Sequence, residues 1–141
     1  RNPMESLPCL CSTVRRAARA VTSLYDDALE GAGIKATQFA LLRNVRRMGE
    51  PSITELADAI ALDRSTLGRN IKVLARNGLV TLGPGSDERT RSVAVTPKGL
   101  RFIEAATPLW EDAQARLAER LGPEKRKALL RIAADLATLT A

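Results

Sequence analysis

The stretch from Ser52 to Leu79 constrains the fold of this 141-residue chain more than any other part of its sequence. It opens with Ser52-Ile53-Thr54-Glu55, a capping box in which the serine hydroxyl and the glutamate carboxylate each satisfy a free amide at a helix start. A short helix follows, and residues 61–62 leave room only for a tight turn before Asp63, a typical N-cap for the next helix. Two short helices joined so closely are typical of a helix-turn-helix.

The second of these helices is followed by a hairpin pattern. The helix carries its apolar face at Leu67, Ile71 and Leu74. Gly78 ends it, after which residues 80–82 and 92–95 alternate with a period of two, separated by turn-forming residues 83–91. Two helices, a tight turn and a hairpin form a winged helix-turn-helix, whose second helix enters the major groove of DNA.

Further helices are predicted on both sides of this lobe. The first spans Cys9 to Glu30 and is expected to end at Gly31. The next is expected to have Thr37 as its N-cap and to end at Gly49. Both helices carry apolar residues at the three-and-four spacing of a single buried face.

The chain is predicted to end in two helices. Thr96-Pro97 supplies an N-cap and a proline at the first helical position, and Pro108 is expected to kink the helix that follows. Gly122-Pro123 then restarts the chain as a sixth helix. We therefore predict a mainly α protein with a small β-hairpin wing and a helical dimerisation region. Its parts are an N-terminal dimerisation helix (1–33), a winged helix-turn-helix lobe (34–98) and C-terminal dimerisation helices (99–141).

Basic residues concentrate on the outer face of the second short helix and in the hairpin tip. Residues 64–91 hold six basic residues against two acidic ones, a surplus that makes up most of the net charge of +6. Clustered cations favour DNA, because they release condensed counterions together. A solvated cationic face is the alternative interpretation. The expected DNA-binding residues are Arg64, Ser65, Gly68, Arg69, Lys72, Arg76, Arg89 and Arg91.

Gly68 lies in the middle of this helix, where a glycine costs about 1 kcal/mol of helix stability relative to alanine. Close approach of the backbone to DNA would explain a glycine at this position. Packing against an adjacent helix, or simple tolerance, would explain it equally well.

Other function classes find no support in the sequence. Histidine is absent, which removes the commonest zinc ligand and the commonest general base. The sequence contains no glycine-rich phosphate loop and no serine nucleophile elbow. We therefore predict neither an enzyme nor a protein with a cofactor or metal. No apolar run approaches the roughly 18 residues of a membrane span, and we expect a cytoplasmic protein.

Three runs of residues resemble one known family. They are Asp63-Arg64-Ser65-Thr66-Leu67, Asn77-Gly78-Leu79-Val80, and the wing Asp87-Glu88-Arg89-Thr90-Arg91 followed by Val95-Thr96-Pro97-Lys98-Gly99. In these runs, and over essentially the whole chain, the sequence is similar to the MarR family of bacterial regulators. The match adds Thr66 to the expected DNA-binding residues. Thr90 stands where the family has a second acidic residue, so one partner expected to brace the wing arginines is missing.

The resemblance implies a triangular homodimer in which the first, fifth and sixth helices of both subunits interlock. Two winged lobes would then read a pseudo-palindromic operator in double-stranded DNA. The apolar stripes agree, since they exceed what one small lobe can bury and therefore predict an interface. A helical bundle within a monomer is the alternative.

The resemblance also implies a repressor that leaves DNA when a signal arrives. Family members often bind small phenolic or lipophilic effectors between the dimer helices and the winged lobe. By position, the residues for such an effector are Tyr25, Phe39 and Trp110, although core packing accounts for the same residues.

Cys9 and Cys11 are the only cysteines, and both lie where the first helix begins. The positive end of the helix dipole, with Arg15 one turn after Cys11, favours the thiolate form. Peroxide sensors of the MarR family carry a reactive cysteine near this point and surround it with tyrosines, whereas Tyr25 is the only tyrosine of this chain. The cysteines are therefore assigned either to redox sensing, to inert packing at a dimer contact, or to a soft-metal thiolate pair.

A winged-helix protein-interaction module without direct DNA binding is the alternative function. Such a lobe would be expected to expose apolar anchors on its second short helix, because charged residues are depleted at the centre of protein interfaces. The acid-free basic face and Arg89 favour DNA instead.

Overall fold

The computed structural model describes residues 3–60, 62–84 and 87–140. Five α-helices and one two-stranded antiparallel sheet lie within these ranges. The helices are α1 (Leu10–Leu29), α2 (Ala36–Met48), α3 (Ile53–Ala59), α4 (Arg64–Arg76) and α5 (Pro97–Ala137). The strands are β1 (Val80–Leu82) and β2 (Val93–Val95), paired in the register Val80 to Val95. Short 3-10 turns cover Pro3–Ser6, Glu30–Ala32, Glu88–Thr90 and Thr138–Thr140. The predicted fold, mainly α with a hairpin wing, is confirmed.

Three helix starts form as their sequences predict. At the start of α3, the Ser52 hydroxyl accepts from the Glu55 amide and the Glu55 carboxylate accepts from the Ser52 amide, both at 3.1 Å. Asp63 accepts from the Thr66 amide at 2.8 Å at the start of α4. Thr96 accepts from the Gly99 amide at 3.0 Å at the start of α5. Each of these caps depends only on residues three positions apart, which is why sequence alone predicts them.

The ends of α1 differ from the prediction. The helix begins at Leu10, with Cys9 as its N-cap in an extended conformation, so Cys9 lies just outside the first turn. At the other end, Leu29 leads into the 3-10 turn, and the left-handed residue is Gly33, with φ of 69°, instead of Gly31. The tighter turn delays the reversal of the chain by two residues.

The start of α2 also differs, because Lys35 and not Thr37 is the N-cap. The Gln38 side chain accepts from the Lys35 amide at 3.0 Å. The carboxylate of Asp26, on α1, accepts from the Ala36 amide at 2.7 Å. The start of α2 is therefore capped from α1. This contact joins residues ten positions apart, so local rules do not predict it.

Helix α5 continues through Pro108 with helical dihedral angles, against the expected kink there. Ala106 and Ala113, on either side of the proline, are fully buried, so packing holds this part of the helix in place. The backbone becomes non-helical at Gly122, with φ of 77° and ψ of 165°, where the sequence predicts a restart. Gly122 thus divides α5 into a first arm (97–121) and a second arm (123–137).

The core lies between α2, α3, α4, the hairpin and the first arm of α5. Its largest fully buried side chains are Phe39, Leu29, Leu41, Leu42, Leu56, Leu67, Ile71, Leu74 and Ile103. Gly99 marks a close approach of two backbones, since a Cβ there would collide with the Leu79 carbonyl oxygen and the Val95 side chain. The first turn of α5 is thereby seated directly on the hairpin, which fixes the base of the wing.

The two ends of the chain are exposed. In the isolated chain, residues 10–23 of α1 and the whole second arm of α5 are exposed, including the apolar stripes that the sequence predicts to be an interface. Leu130 is 66% exposed and Ile132 is 55% exposed. Despite these stripes, no helix among the described residues has the length and apolarity to cross a membrane.

Candidate nucleic-acid interface

Helix α4 has one buried face and one basic face. Leu67, Ile71 and Leu74 are buried to 1% exposure or less. Gly68 and Thr66 are half-buried at the edge of this face. The exposed residues are Arg64, Ser65, Arg69, Lys72 and Arg76. The side chains therefore divide as the 3.6-residue period predicts.

A groove separates α4 from the wing, with a cavity volume of about 240 Å³. Its floor is formed by Ile53, Ile71 and Leu82. Its rim carries predicted DNA-binding residues from both parts of the sequence, namely Arg64, Ser65, Gly68, Lys72, Arg89 and Arg91. The structure thus joins most of the predicted residues in one concave surface. Arg69 and Arg76 are exposed on α4 outside this lining.

The wing tip is held together by local hydrogen bonds. The Asp87 carboxylate accepts from the amides of Arg89 and Thr90 at 2.8 and 3.2 Å. The Thr90 hydroxyl accepts in return from the Asp87 amide at 3.4 Å, so threonine completes a reciprocal cap without the family's second acidic residue. Arg91 Nε donates to the Gly83 carbonyl at 3.0 Å, across the hairpin.

Helix α3 fixes the wing in relation to the lobe. The Thr54 hydroxyl donates to the Arg89 carbonyl at 3.2 Å. The Ile53 amide donates to the Arg91 carbonyl at 3.2 Å, and Ser52 forms a bridge with Ser92. Sequence reasoning missed Thr54, because it places the residue only inside a capping box and gives no sign of a partner 35 positions away.

Asp63 organises the start of α4. Hydrogen bonds from the Thr66 amide, then from the Ser65 hydroxyl and the Thr66 hydroxyl, lower the pKa of Asp63 to about 2. The Thr66 hydroxyl donates to Asp63 Oδ2 at 2.9 Å and accepts from Arg69 Nη2 at 3.3 Å. Thr66 therefore tethers the Arg69 guanidinium over the helix surface.

Gly68 faces open space. A Cβ at this position would meet no heavy atom from another part of the described chain within 4 Å. Packing against an adjacent helix therefore does not explain the glycine. Approach of a ligand backbone and simple tolerance remain as the two explanations.

The three residues expected at an effector site lie around the contact of α5 with α1 and α2. Phe39 is 1% exposed, and its ring centroid is 6.1 Å from that of Trp110. The Arg43 guanidinium lies over the Trp110 ring, 4.1 Å from its centroid. The Tyr25 hydroxyl donates to Gln114, one helical turn after Trp110, and burial raises the pKa of Tyr25.

Cys9 and Cys11 are free and exposed at the tip of α1. Hydrogen bonds from the Ser12 hydroxyl, and secondly from the Ser12 amide, lower the pKa of the Cys9 thiol. No group of three or more cysteine, aspartate or glutamate side chains that could hold a metal ion occurs within the described ranges.

Comparison with known proteins agrees with this geometry. The sequence model of the MarR family matches residues 32–90, which contain α2, α3, α4 and most of the wing. The transcriptional regulator MosR of Mycobacterium tuberculosis, solved in complex with DNA, is 34% identical with a TM-score of 0.81. The alignment covers 95% of this chain and 100% of that one. The chain belongs to the MarR family.

Two further proteins are similar to this chain. The HTH-type transcriptional regulator YwoH of Bacillus subtilis, described as uncharacterized, is 28% identical over 95 residues, 67% of this chain and 69% of its own. A mutant of E. coli MarR, solved with operator DNA, has the same fold, with a TM-score of 0.79 at 22% identity over 90% of this chain and 92% of that one. This MarR-family chain is a winged-helix transcriptional regulator.

Proposed function

We propose that this MarR-family regulator represses transcription by binding a pseudo-palindromic site in double-stranded DNA as a homodimer. Helix α4 enters the major groove, and Arg89 and Arg91 in the wing contact the adjacent backbone or minor groove. The observation that carries the proposal is the basic groove, in which cations 25 residues apart in sequence share one concave rim. The DNA complex of MosR, its 34% identical relative, supports it.

The exposed apolar stripes support the homodimer. A monomer with Leu130 and Ile132 more than half exposed would present a large apolar surface to water, which soluble proteins rarely do. A partner subunit that covers α1 and the second arm of α5 removes this surface. It also holds the two recognition helices about one turn of DNA apart.

A protein-interaction lobe is less well supported by the same surface. The exposed face of α4 carries four cations, and the apolar floor of the groove lies beneath a charged rim. A protein partner would have to desolvate these charges, whereas DNA phosphates neutralise them.

Gel-shift titrations with Arg89→Ala and Arg69→Ala test the DNA face. Arg89→Ala is expected to weaken binding on all sequences and to reduce the salt-dependence slope by about 1, because a phosphate contact is lost. Arg69→Ala is expected to change sequence preference as well. Arg116→Ala is the control, since Arg116 pairs with Asp112 on α5, away from the groove. Unchanged affinity in both test variants would overturn the proposal.

Release from DNA is proposed to follow a small aromatic or lipophilic effector, or oxidation of the cysteines. For the effector, Trp110 and Phe39 with the Arg43 guanidinium offer stacking surfaces where α2 meets α5, next to Tyr25. Ligand binding there would change the relative position of the lobe and the dimer helices. Trp110 is the only tryptophan, so its fluorescence reports directly on effector titrations.

A further inference from the structure

Ser65 stands at the rim of the groove, as the second residue of α4, with its hydroxyl already engaged. The Ser65 hydroxyl donates to Asp63 Oδ1 at 2.7 Å. Asp63 Oδ1 also accepts from the Thr66 amide at 2.8 Å. Ser65 itself is exposed and lines the groove beside Arg64 and Gly68.

The direction of this hydrogen bond follows from the chemistry of the pair. An ionised carboxylate has no hydrogen and can only accept, whereas a serine hydroxyl has one hydrogen and two lone pairs. The single hydrogen of Ser65 is therefore committed to Asp63. Towards the groove, Ser65 can present only lone pairs.

A ligand atom that meets Ser65 must therefore be a donor. DNA phosphate oxygens carry no hydrogen. They therefore cannot form a hydrogen bond with Ser65 while the Ser65 hydroxyl donates its hydrogen to Asp63. In the major groove, the donors on base edges are the N6 amino group of adenine and the N4 amino group of cytosine. We infer that Ser65 is a specificity-determining residue that accepts a hydrogen bond from an adenine or cytosine amino group and does not contact phosphate.

The neighbouring side chains make this role distinct. Arg64 and Lys72 at the same rim are donors, suited to phosphates and to guanine. The Thr66 hydroxyl donates to Asp63 and accepts from Arg69, so it has no comparable role. Ser65 thus supplies a neutral acceptor directly beside positively charged donors at the rim.

The inference rests on the proposed DNA-binding function, and site selection separates the two. Wild-type full-length protein, Ser65→Ala and Ser65→Thr are each used to select sites from random duplex DNA. For the wild type, we expect each half-site to contain one invariant adenine or cytosine whose preference disappears with Ser65→Ala. Ser65→Thr, which retains the hydroxyl, is expected to keep it. If the wild type enriches no sequence, the proposed function itself fails and the inference fails with it.

Base analogues then test the amino group directly. Replacement of that adenine by purine, or of that cytosine by 2-pyrimidinone, removes only the amino group from the groove edge. We expect wild-type affinity to fall about tenfold, and Ser65→Ala to lose nothing further. Equal losses in both proteins would overturn the inference, as would identical selected sites. A methylphosphonate that weakens wild type but not Ser65→Ala would also overturn it, because Ser65 would then contact phosphate.

Discussion

Gly68 occupies a helix centre where alanine would be about 1 kcal/mol more stable. Its Cα faces the groove with open space around it, so the protein itself gives no reason to keep the residue small. A DNA backbone that approaches α4 at this point would give that reason. Glycine at this position would then lower helix stability and, in return, let the DNA backbone come close to α4.

Gly68→Ala is expected to raise the free energy of unfolding by about 1 kcal/mol and to weaken DNA binding at the same time. Urea denaturation measures the first effect and gel-shift titration the second. A more stable protein with unchanged DNA affinity would show that the glycine is merely tolerated.

In the isolated chain, both cysteines lie where an oxidant can reach them. Cys9 is exposed, and hydrogen bonds from Ser12 lower the pKa of its thiol, which increases the thiolate fraction at neutral pH. Peroxide would take two electrons from this thiolate, giving a sulfenic acid, and a second thiol could condense with it to a disulfide with loss of water. A bond between Cys9 and Cys11 of one chain would close a very tight ring, so a link between two subunits is favoured.

With peroxide, we expect lower DNA affinity and, on non-reducing electrophoresis, either a covalent dimer or a sulfenic acid that dimedone traps. Cys9→Ser should lose the response, because hydrogen bonds from Ser12 lower the pKa of the Cys9 thiol and so favour its oxidation. Cys11→Ser serves as the matched comparison. If peroxide changes neither the affinity nor the mobility of the wild type, the cysteines are inert and belong to packing at the dimer contact.

At the scale of elements, the wing depends on α3 for its position. Its tip is capped by Asp87, but the hydrogen bonds that aim it at the groove come from Ile53 and Thr54. A hairpin held only at its base would move more freely. Its arginines would then lose more conformational entropy on binding DNA than those of an anchored wing. The α3 contacts therefore preorganise Arg89 and Arg91.

Thr54→Val removes the hydroxyl and keeps the side-chain shape. One hydrogen bond contributes about 0.5–1.5 kcal/mol, so DNA affinity is expected to fall by a factor of about 2–10. Thr54→Ser, which keeps the donor, should bind as wild type. In an Arg89→Ala background, Thr54→Val should have a smaller effect, since it acts through the wing. Strictly additive losses in the double variant would contradict this coupling.

At the scale of the whole molecule, we expect function to depend on helices that the single chain leaves exposed. The second arm of α5 has apolar side chains open to solvent and begins at the non-helical Gly122. A partner that covers this arm would set the distance between the two recognition helices. DNA affinity and dimerisation should therefore be lost together.

Truncation after Gly122 is expected to cause aggregation or a monomer that no longer binds DNA. Ile132→Lys tests the same surface without shortening the chain, with Lys127→Ala on the same arm as control. Analytical ultracentrifugation gives the oligomeric state, and gel shift gives the affinity. A truncated protein that remains a soluble dimer with full affinity would refute the role of the second arm.

Local sequence determined much of this protein. The caps at Ser52, Asp63 and Thr96 and the division of α4 into two faces depend on residues within about one helical turn of each other. In the same way, the two-residue alternation of apolar side chains gives the positions of both strands, and Gly122 gives the break in α5. Interactions over such short distances are the same in any fold that contains the element, so the sequence is sufficient to predict them.

Only the tertiary structure decided where distant parts meet. Asp26 caps α2 from another helix, and Thr54 binds the wing across 35 residues. The rim of the groove brings Arg64 and Arg89 together. Gly99 has to be small because a Cβ there would collide with the carbonyl oxygen of Leu79, 20 residues earlier. None of these pairs is marked by composition or spacing. Each depends on the direction of side chains once the core has packed, because packing alone brings those atoms within hydrogen-bond or van der Waals distance.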